Sequence, residues 1–175
     1  MTHGYEVLYS GRKTLALQIA RDGRLIVRAP YGTPKKRIEE FIQKEERWIE
    51  KARGKMSALP AFSDDPAEIR ALAARARAVL PAKIAQYSAA MRLFPASIRI
   101  GRAKTRFGCC TSDKRITFSC YLMLFPEEAI DYVVVHELAH LRYMNHSKDF
   151  YALVASVLPD YKAREKLLKG AVPKK

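Results

Sequence analysis

Length, composition and charge already limit the kinds of protein to which this chain can belong. Its 175 residues are 49% hydrophobic, with 8 Gly and 9 Pro, so it can bury a core without needing disulfides. We therefore expect a single domain over residues 1–175, with a subdivision into residues 1–56 and 66–175. Three cysteines are too few, and odd in number, for a disulfide scaffold; this favours a reducing, cytoplasmic location.

The formal net charge of +14 is concentrated in one part of the sequence. Residues 69–112 contain nine basic side chains and no acidic one: Arg70, Arg75, Arg77, Lys83, Arg92, Arg99, Arg102, Lys104 and Arg106. Such a stretch predicts contact with a polyanion such as nucleic acid. The alternative is a solvated helix face followed by an exposed strand, which is what charge runs without interleaved aromatic residues usually form.

No segment of the sequence predicts secretion or contact with a membrane. Residues 1–23 are interrupted by charges and lack the apolar core of a signal peptide. The longest uncharged apolar runs, such as residues 120–125, are far shorter than the roughly 20 residues that span a bilayer. We therefore expect no membrane partner.

The N-terminal quarter predicts strands followed by a helix. Short alternating segments at residues 6–9, 14–19 and 25–28 indicate two or three antiparallel strands, and Asp22-Gly23 is a strong hairpin signal. At Thr33-Pro34 the spacing of apolar residues becomes helical and continues to Ile49. This pattern predicts one amphipathic helix of about five or six turns.

A loop over residues 57–66 precedes an alanine-rich helical segment over residues 67–94. Asp64 or Asp65 can cap that helix with Pro66 in its first turn, and Pro81 is expected to kink or divide it. Residues 97–102 and 115–119 predict short strands around a turn at residues 112–114.

Helices are predicted for most of the C-terminal part of the chain. Pro126, followed by two glutamates, opens a helix over about residues 126–144, which we expect to end at Asn145. Its three successive valines, residues 133–135, predict a helix stabilised by burial rather than by propensity. Further helices are expected over residues 148–157 and 161–169.

The chemistry is carried by a cluster of histidines. Three of the four histidines fall within residues 136–146, and His136, Glu137 and His140 form the HExxH pattern. Around the axis of a helix, the side chains of these three residues point at roughly 0°, 100° and 40°, so all three project into one sector. Two imidazoles at this spacing bind zinc, and the carboxylate can act on water at the ion.

His146 is the natural third ligand, provided that the helix ends before it. Asn145 can adopt the left-handed conformation that ends a helix, and Ser147 can cap the next one. Three protein ligands leave a coordination position open, which is typical of a catalytic Zn²⁺ site. The alternative is that all three histidines are ordinary helix and surface residues. Cys109, Cys110 and Cys120 lack zinc-finger spacing, and we interpret them as buried thiols.

At such a site Glu137 would be the general base. It would take a proton from the attacking water and deliver it to the leaving amine. An additional donor should stabilise the oxyanion. The sequence leaves four candidates open for that role: Arg106, Arg142, Tyr143 and Tyr151.

These residues resemble those of the YgjP-like metallopeptidases, relatives of the SprT and WLM groups. The resemblance lies in residues 135–140, in Asn145-His146-Ser147 with Phe150-Tyr151, and in the upstream segment 106–110. It also takes in residues 131–134 and 159–161 and, more loosely, the N-terminal strands and helix. Two residues depart from the family pattern: Phe107 stands where the family usually has Trp, and Cys109 where it usually has Ser.

The resemblance implies an α+β fold with a zincin-like core and an antiparallel sheet beside the active-site helix. It implies His136, His140 and His146 as the metal ligands and Glu137 as the catalytic carboxylate. We expect a zinc-dependent hydrolase, most simply a peptidase acting on peptides or proteins. Two alternatives stay open: a nucleic-acid-binding module with a structural or vestigial metal site, and a hydrolase of a non-peptide amide or ester.

Overall fold

The structure is a computed structural model that describes residues 4–20, 23–57, 60–169 and 171, with side chains left out for residues 55–57. The fold is mixed α+β and divides into two compact units, Met1–Leu59 and Pro60–Lys175. Within the described ranges, no helix combines the length and the apolar character needed to cross a bilayer.

The N-terminal unit begins with a three-stranded sheet. Its strands are β1 (Tyr5–Ser10), β2 (Ala16–Ile19) and β3 (Leu25–Pro30), in the order β1-β3-β2. Strands β2 and β3 are antiparallel, as predicted; of the expected turn, Asp22 lies outside the described residues, and Gly23 has a φ of +83°. Strand β1, in contrast, is parallel to β3, so the prediction of antiparallel strands is wrong for this pair. Alternation identifies a strand but does not determine which edge of the sheet it joins.

Two helices cover one face of this sheet. They are α1 (Lys35–Lys44) and α2 (Glu46–Ser57), where the sequence predicted a single helix. The interruption is one residue long, at Glu45. Helical hydrogen bonds reach this residue from both sides: its N–H donates to the carbonyl of Phe41, and its carbonyl accepts from the N–H of Ile49. The buried core of the unit joins both layers and consists of Ile19, Leu25, Val27, Ala29, Ile38, Ile42 and Ile49.

The C-terminal unit begins with a long helix and a second three-stranded sheet. The elements are α3 (Pro66–Met91), β4 (Ser97–Gly101), β5 (Gly108–Cys110) and β6 (Arg115–Ser119), followed by a 3-10 helix (Cys120–Leu124). Asp65, one of the two candidates that the sequence left open, caps α3 by accepting a hydrogen bond from the N–H of Ala67. Helix α3 runs through Pro81 without being divided.

The second sheet is mixed, with the strand order β4-β6-β5. Strand β4 is parallel to β6, and β5 is antiparallel to it, so the expectation of an antiparallel sheet holds only for the β5–β6 hairpin. Strand β5 was not predicted separately, because a three-residue strand is too short to show a period. It forms one edge of the sheet and packs against the central helix of the unit.

That central helix is α4 (Glu127–Ala139), which is followed by α5 (Lys148–Val157) and α6 (Tyr161–Leu168). Helix α4 packs against α3, α5, α6 and β5, and its three successive valines are buried, as predicted. Asp131 of α4 links three helices, since its carboxylate binds Lys83 of α3 at 2.6 Å and Arg164 of α6 at 3.4 Å. The helix that carries the HExxH pattern is therefore held from several sides.

Candidate metal centre

The three clustered histidines converge on one point. One ring nitrogen each from His136, His140 and His146 lies within 4.8 Å of the other two, and the Nε2 atoms of His136 and His146 are 3.1 Å apart. Their ring centroids are separated by 4.8 to 5.0 Å. This arrangement can hold a metal ion between three nitrogen donors, which is the donor number of an open zinc site.

The turn that brings His146 back to the other two histidines begins earlier than predicted. Helix α4 ends at Ala139 and His140 is its C-cap, whereas the sequence predicted a helix over residues 126–144 that ends at Asn145. Asn145 does not have a positive φ; among non-glycine residues in the described ranges only Arg92 and Lys114 do. Backbone N–H groups of residues 141–143 bond to the carbonyls of residues 138 and 139 and so close the last turn.

The start of the next helix fixes His146 from the other side. Ser147 is the N-cap of α5, and its hydroxyl accepts a hydrogen bond of 3.2 Å from the N–H of Phe150, as the sequence predicted. An N-cap residue has extended rather than helical backbone, and Ser147 has a ψ of 174°. The residue just before it is thereby directed away from the axis of α5 and towards α4.

Hydrogen bonds at the second ring nitrogens orient two of the imidazoles. Nδ1 of His140 lies 3.0 Å from the carbonyl oxygen of Tyr143. Because a carbonyl can only accept, this Nδ1 carries the hydrogen and Nε2 keeps its lone pair for a metal. Nδ1 of His136 lies 3.4 Å from the hydroxyl of Tyr132, one helical turn earlier. Tyr132 was not recognised in the sequence, although its i,i+4 spacing to His136 is the signal that could have found it.

An aromatic ring supports the whole histidine cluster. The ring centroid of Phe150 lies 4.9 Å from that of His136, 4.7 Å from that of His140 and 4.9 Å from that of His146. Phe150 is 0% exposed, so it cannot turn towards solvent. It is the common packing surface of the three imidazoles, a role that needed the three-dimensional arrangement to be seen.

Burial keeps two of the imidazoles, those of His136 and His140, in the neutral form that binds metal. It lowers the pKa of His136 to about 3, and the neighbouring charges of His140 and His146 act in the same direction. Burial likewise lowers the pKa of His140. Neutral imidazoles have a free nitrogen lone pair at neutral pH, so the donor chemistry of the cluster fits a divalent metal ion such as zinc.

Glu137 lies beside this cluster, on α4, with only 6% of its surface exposed. Burial raises the pKa of its carboxyl group to about 7, although the positive charge of Arg106 and the backbone N–H of Cys110 both favour the carboxylate. Arg106 and Cys110 belong to the segment around β5. The structure thus places the predicted carboxylate against the same short strand that the resemblance singled out.

The two departures from the family pattern have different surroundings. Phe107 is buried in an aromatic cluster, with its ring centroid 4.9 Å from that of Phe125 and 6.0 Å from that of Phe62. It is a packing residue. Cys109 is half-buried and faces its pairing partner Thr117 in β6. The neighbouring Cys110 is also half-buried, and burial raises the pKa of its thiol to about 11.

The four candidates for oxyanion stabilisation lie in different settings. The positive charge of Arg106 acts on Glu137, and the ring of Tyr151 stacks on that of His146 at 6.1 Å. Tyr143 contributes its backbone carbonyl to His140, and Arg142 is exposed in the turn between α4 and α5. Arg106 and Tyr151 are the two whose side chains the structure places beside site residues.

Part of the predicted basic surface is occupied by contacts within the unit. Arg75 donates a hydrogen bond to the carbonyl of Met123, Lys83 binds Asp131 and Lys104 binds Asp64. These three cations hold the fold together, which weakens the footprint expected of residues 69–112. Contact with nucleic acid stays a prediction.

The N-terminal unit has a pocket of its own, with a volume of about 670 Å³. It lies between the residues that flank β2 and β3 and one face of α1, where Arg37 and Lys44 project. Its described lining contains no histidine and one carboxylate, that of Glu40. This pocket therefore lacks the donors of the histidine cluster.

A model of the YgjP-like, metallopeptidase domain family matches residues 13–71 and 64–171. Among solved structures, the chain is similar to the crystal structure of the metallopeptidase zymogen of Pyrococcus abyssi abylysin, with a TM-score of 0.47 and 23% identity over 50% of this chain and 90% of that chain. No curated protein matches.

Proposed function

The chain belongs to the YgjP-like metallopeptidase domain family, and from that premise we propose that it is a zinc-dependent peptidase whose general base is Glu137. The observation that carries this proposal is the convergence of three imidazoles, one of which, His136, is followed on α4 by a buried carboxylate. A purely structural zinc site is closed by a fourth protein ligand and has no use for a base. Three donors and a neighbouring carboxylate are what metal-assisted hydrolysis needs.

His136, His140 and His146 would hold the metal through ring nitrogens. Support comes from the burial that lowers the pKa of His136 and His140, from the Tyr143 carbonyl that orients His140 and from the Phe150 ring, which packs against all three. When bound, a zinc ion lowers the pKa of a coordinated water towards neutrality and polarises a carbonyl group. Zinc is proposed because three protein ligands and an open position are the pattern of catalytic zinc sites, whereas Mg²⁺, Ca²⁺ and Mn²⁺ prefer oxygen ligands.

Glu137 would move the proton in the reaction. The attacking water gives a proton to its carboxylate as the water oxygen bonds to the scissile carbonyl carbon. The carboxyl group then delivers that proton to the amine as the C–N bond breaks. Burial favours the protonated form, so the group can keep the proton between the two steps.

A peptide substrate is favoured because β5 is an edge strand of its sheet and lies against Glu137. Residues 107 and 111 direct backbone groups towards β6: the carbonyl of Phe107 accepts a hydrogen bond from the N–H of Ser119, and the N–H of Thr111 donates to the carbonyl of Arg115. Backbone groups alternate in direction along an antiparallel strand, so Gly108 and Cys110 turn theirs away from β6; of these groups, the N–H of Cys110 faces the carboxylate of Glu137. Main-chain groups at a sheet edge bind extended peptides with little side-chain selection.

The test of the proposal is the substitution Glu137→Gln, compared with Glu128→Gln at an exposed position of the same helix. Both variants and the wild type are loaded with zinc and assayed on an unstructured protein. Glu137→Gln should keep its metal and lose about 10²- to 10⁴-fold in kcat, the usual contribution of a general base. Hydrolysis at the wild-type rate by the metal-loaded Glu137→Gln protein would refute the role.

The same assay separates the two alternatives. A nucleic-acid-binding module predicts strongly salt-dependent binding to DNA or RNA and no hydrolysis by the wild type. A hydrolase of other amides or esters predicts turnover of small amide or ester substrates while the unstructured protein stays intact. The proposal requires that the wild type and Glu128→Gln cleave the protein substrate and that Glu137→Gln does not.

A further inference from the structure

The glycine at the start of β5 lies directly against the side chain of Glu137. A Cβ atom built on Gly108 would overlap Oε1 and Cγ of Glu137 and lie 2.5 Å from its Cδ. Carbon atoms that are not bonded do not approach so closely, because their optimal separation is about 3.5 to 4.0 Å. Any residue with a side chain at position 108 would therefore have to displace the carboxylate.

Backbone conformation does not explain this glycine. The described glycines with a positive φ are Gly23 and Gly32, so Gly108 has a backbone that any residue can adopt. Gly101 in β4 is in a milder situation, since its added Cβ would lie 3.2 Å from Cγ2 of Thr117 and 4.0 Å from the carbonyl oxygen of Phe118. Gly108 differs from the other described glycines because the side chain of Glu137 fills the space that a Cβ atom would occupy.

Glu137 has little room to move aside. It is buried, and the residues after it on α4, Leu138 and Ala139, are completely buried. On the side of β5 its carboxylate faces the N–H of Cys110, and the charge of Arg106 acts on it. The side chain is thus confined between its own helix and the strand.

We propose that Gly108 is a positioning residue for Glu137: the missing side chain at position 108 admits the carboxylate to its place against β5. The catalytic part of this inference rests on the proposed function. If β5 also binds the substrate backbone, one short strand fixes both the peptide and the base that acts on it. The register of the peptide and the position of the proton acceptor are then set by the same residues.

The geometry can be tested without metal and without activity, by thermal unfolding of the metal-free protein. Gly108→Ala should lower the melting temperature when Glu137 is present. In combination with Glu137→Ala, which removes the overlapping atoms, the loss should shrink to less than half or vanish. Gly101→Ala, the matched control, should change the melting temperature equally in both backgrounds. An equal loss from Gly108→Ala with and without Glu137→Ala would overturn the inference.

The catalytic consequence is tested on the zinc-loaded protein. Because a displacement of about 1 Å can cost 10²-fold in rate, Gly108→Ala should lower kcat by about 100-fold while metal affinity and KM change less than threefold. A variant whose kcat stays within threefold of the wild type would overturn the positioning role. Absence of hydrolysis in the wild type would instead refute the proposed function, and the thermal comparison then still decides the contact between Gly108 and Glu137.

Discussion

Replacing Phe150 should weaken metal binding without touching any metal ligand. The substitution Phe150→Leu keeps an apolar side chain but removes the flat ring on which His136, His140 and His146 pack at 4.7 to 4.9 Å. The three imidazoles would then lose the surface that fixes their relative orientation. Groups that orient metal ligands typically contribute 10- to 100-fold to metal affinity, which is the loss we expect.

The cost in stability can be worked out from burial. Phe150 is 0% exposed, and truncating a buried Phe to Ala costs about 3 to 5 kcal/mol. Leucine fills much of the same volume, so Phe150→Leu should cost about 1 to 2 kcal/mol. Leu80→Ala is the control: it removes a fully buried side chain of α3 and should cost about 2 to 5 kcal/mol without changing metal affinity.

The assay has two parts, both with purified protein. Denaturant unfolding of the metal-free variants gives the loss of unfolding free energy, and competition with a chromophoric chelator gives zinc affinity. We predict that Phe150→Leu, which costs less unfolding free energy than Leu80→Ala, lowers zinc affinity more. Wild-type zinc affinity in Phe150→Leu, or an equal loss in Leu80→Ala, would refute it.

Three further outcomes follow from contacts elsewhere in the unit. Asp131→Asn should cost about 2 to 3 kcal/mol of unfolding free energy, a value between those of exposed and buried ion pairs, because Asp131 is only 14% exposed and binds two cations. As a control, Asp113→Asn, which removes an exposed ion pair, should change the melting temperature little. Ser147→Ala removes the N-cap of α5 and should cost about 1 kcal/mol, together with some zinc affinity; unchanged stability would contradict that role. Cys110 should be alkylated more slowly at pH 8 than an unperturbed thiol, and its alkylation rate should rise up to about pH 11, because burial raises its pKa from 9.0 to about 11. Alkylation rates, measured by mass spectrometry, that level off near pH 9 would contradict this.

The sequence was most informative where neighbours along the chain determine the structure. The spacing of His136 and His140 follows from helical geometry, and Ser147 marked the start of α5 to the residue. For α3 the sequence narrowed the cap to Asp64 or Asp65, and the structure has Asp65 there. Each of these features depends on contacts within a few residues, which local patterns describe well.

Features built from distant segments were not predictable in this way. Lys83 and Asp131 lie 48 residues apart and still form a short ion pair. The contact between Gly108 and Glu137 joins a short edge strand to the central helix, and no periodicity signals it. The pairing of β1 with β3 depends on the path of the chain around the sheet rather than on the residues of β1.

The end of α4 shows a different limit. The sequence offered Asn145 as the residue that ends the helix, since asparagine tolerates a left-handed backbone. In the structure the helix ends at His140, whose ring bonds to the carbonyl of Tyr143. A side chain of the site itself thus takes part in ending the helix, and such a contact cannot be predicted from local helix propensity.

The most direct test of the account is X-ray absorption spectroscopy of the zinc-loaded protein, together with the metal content per chain. We predict one zinc ion per chain bound by three imidazole nitrogens at about 2.0 to 2.1 Å, with the remaining position taken by an oxygen. His146→Ala should lower the number of imidazole ligands by one. A sulfur ligand at about 2.3 Å, the distance of a zinc–thiolate bond, or a protein that binds no zinc, would contradict the central claim.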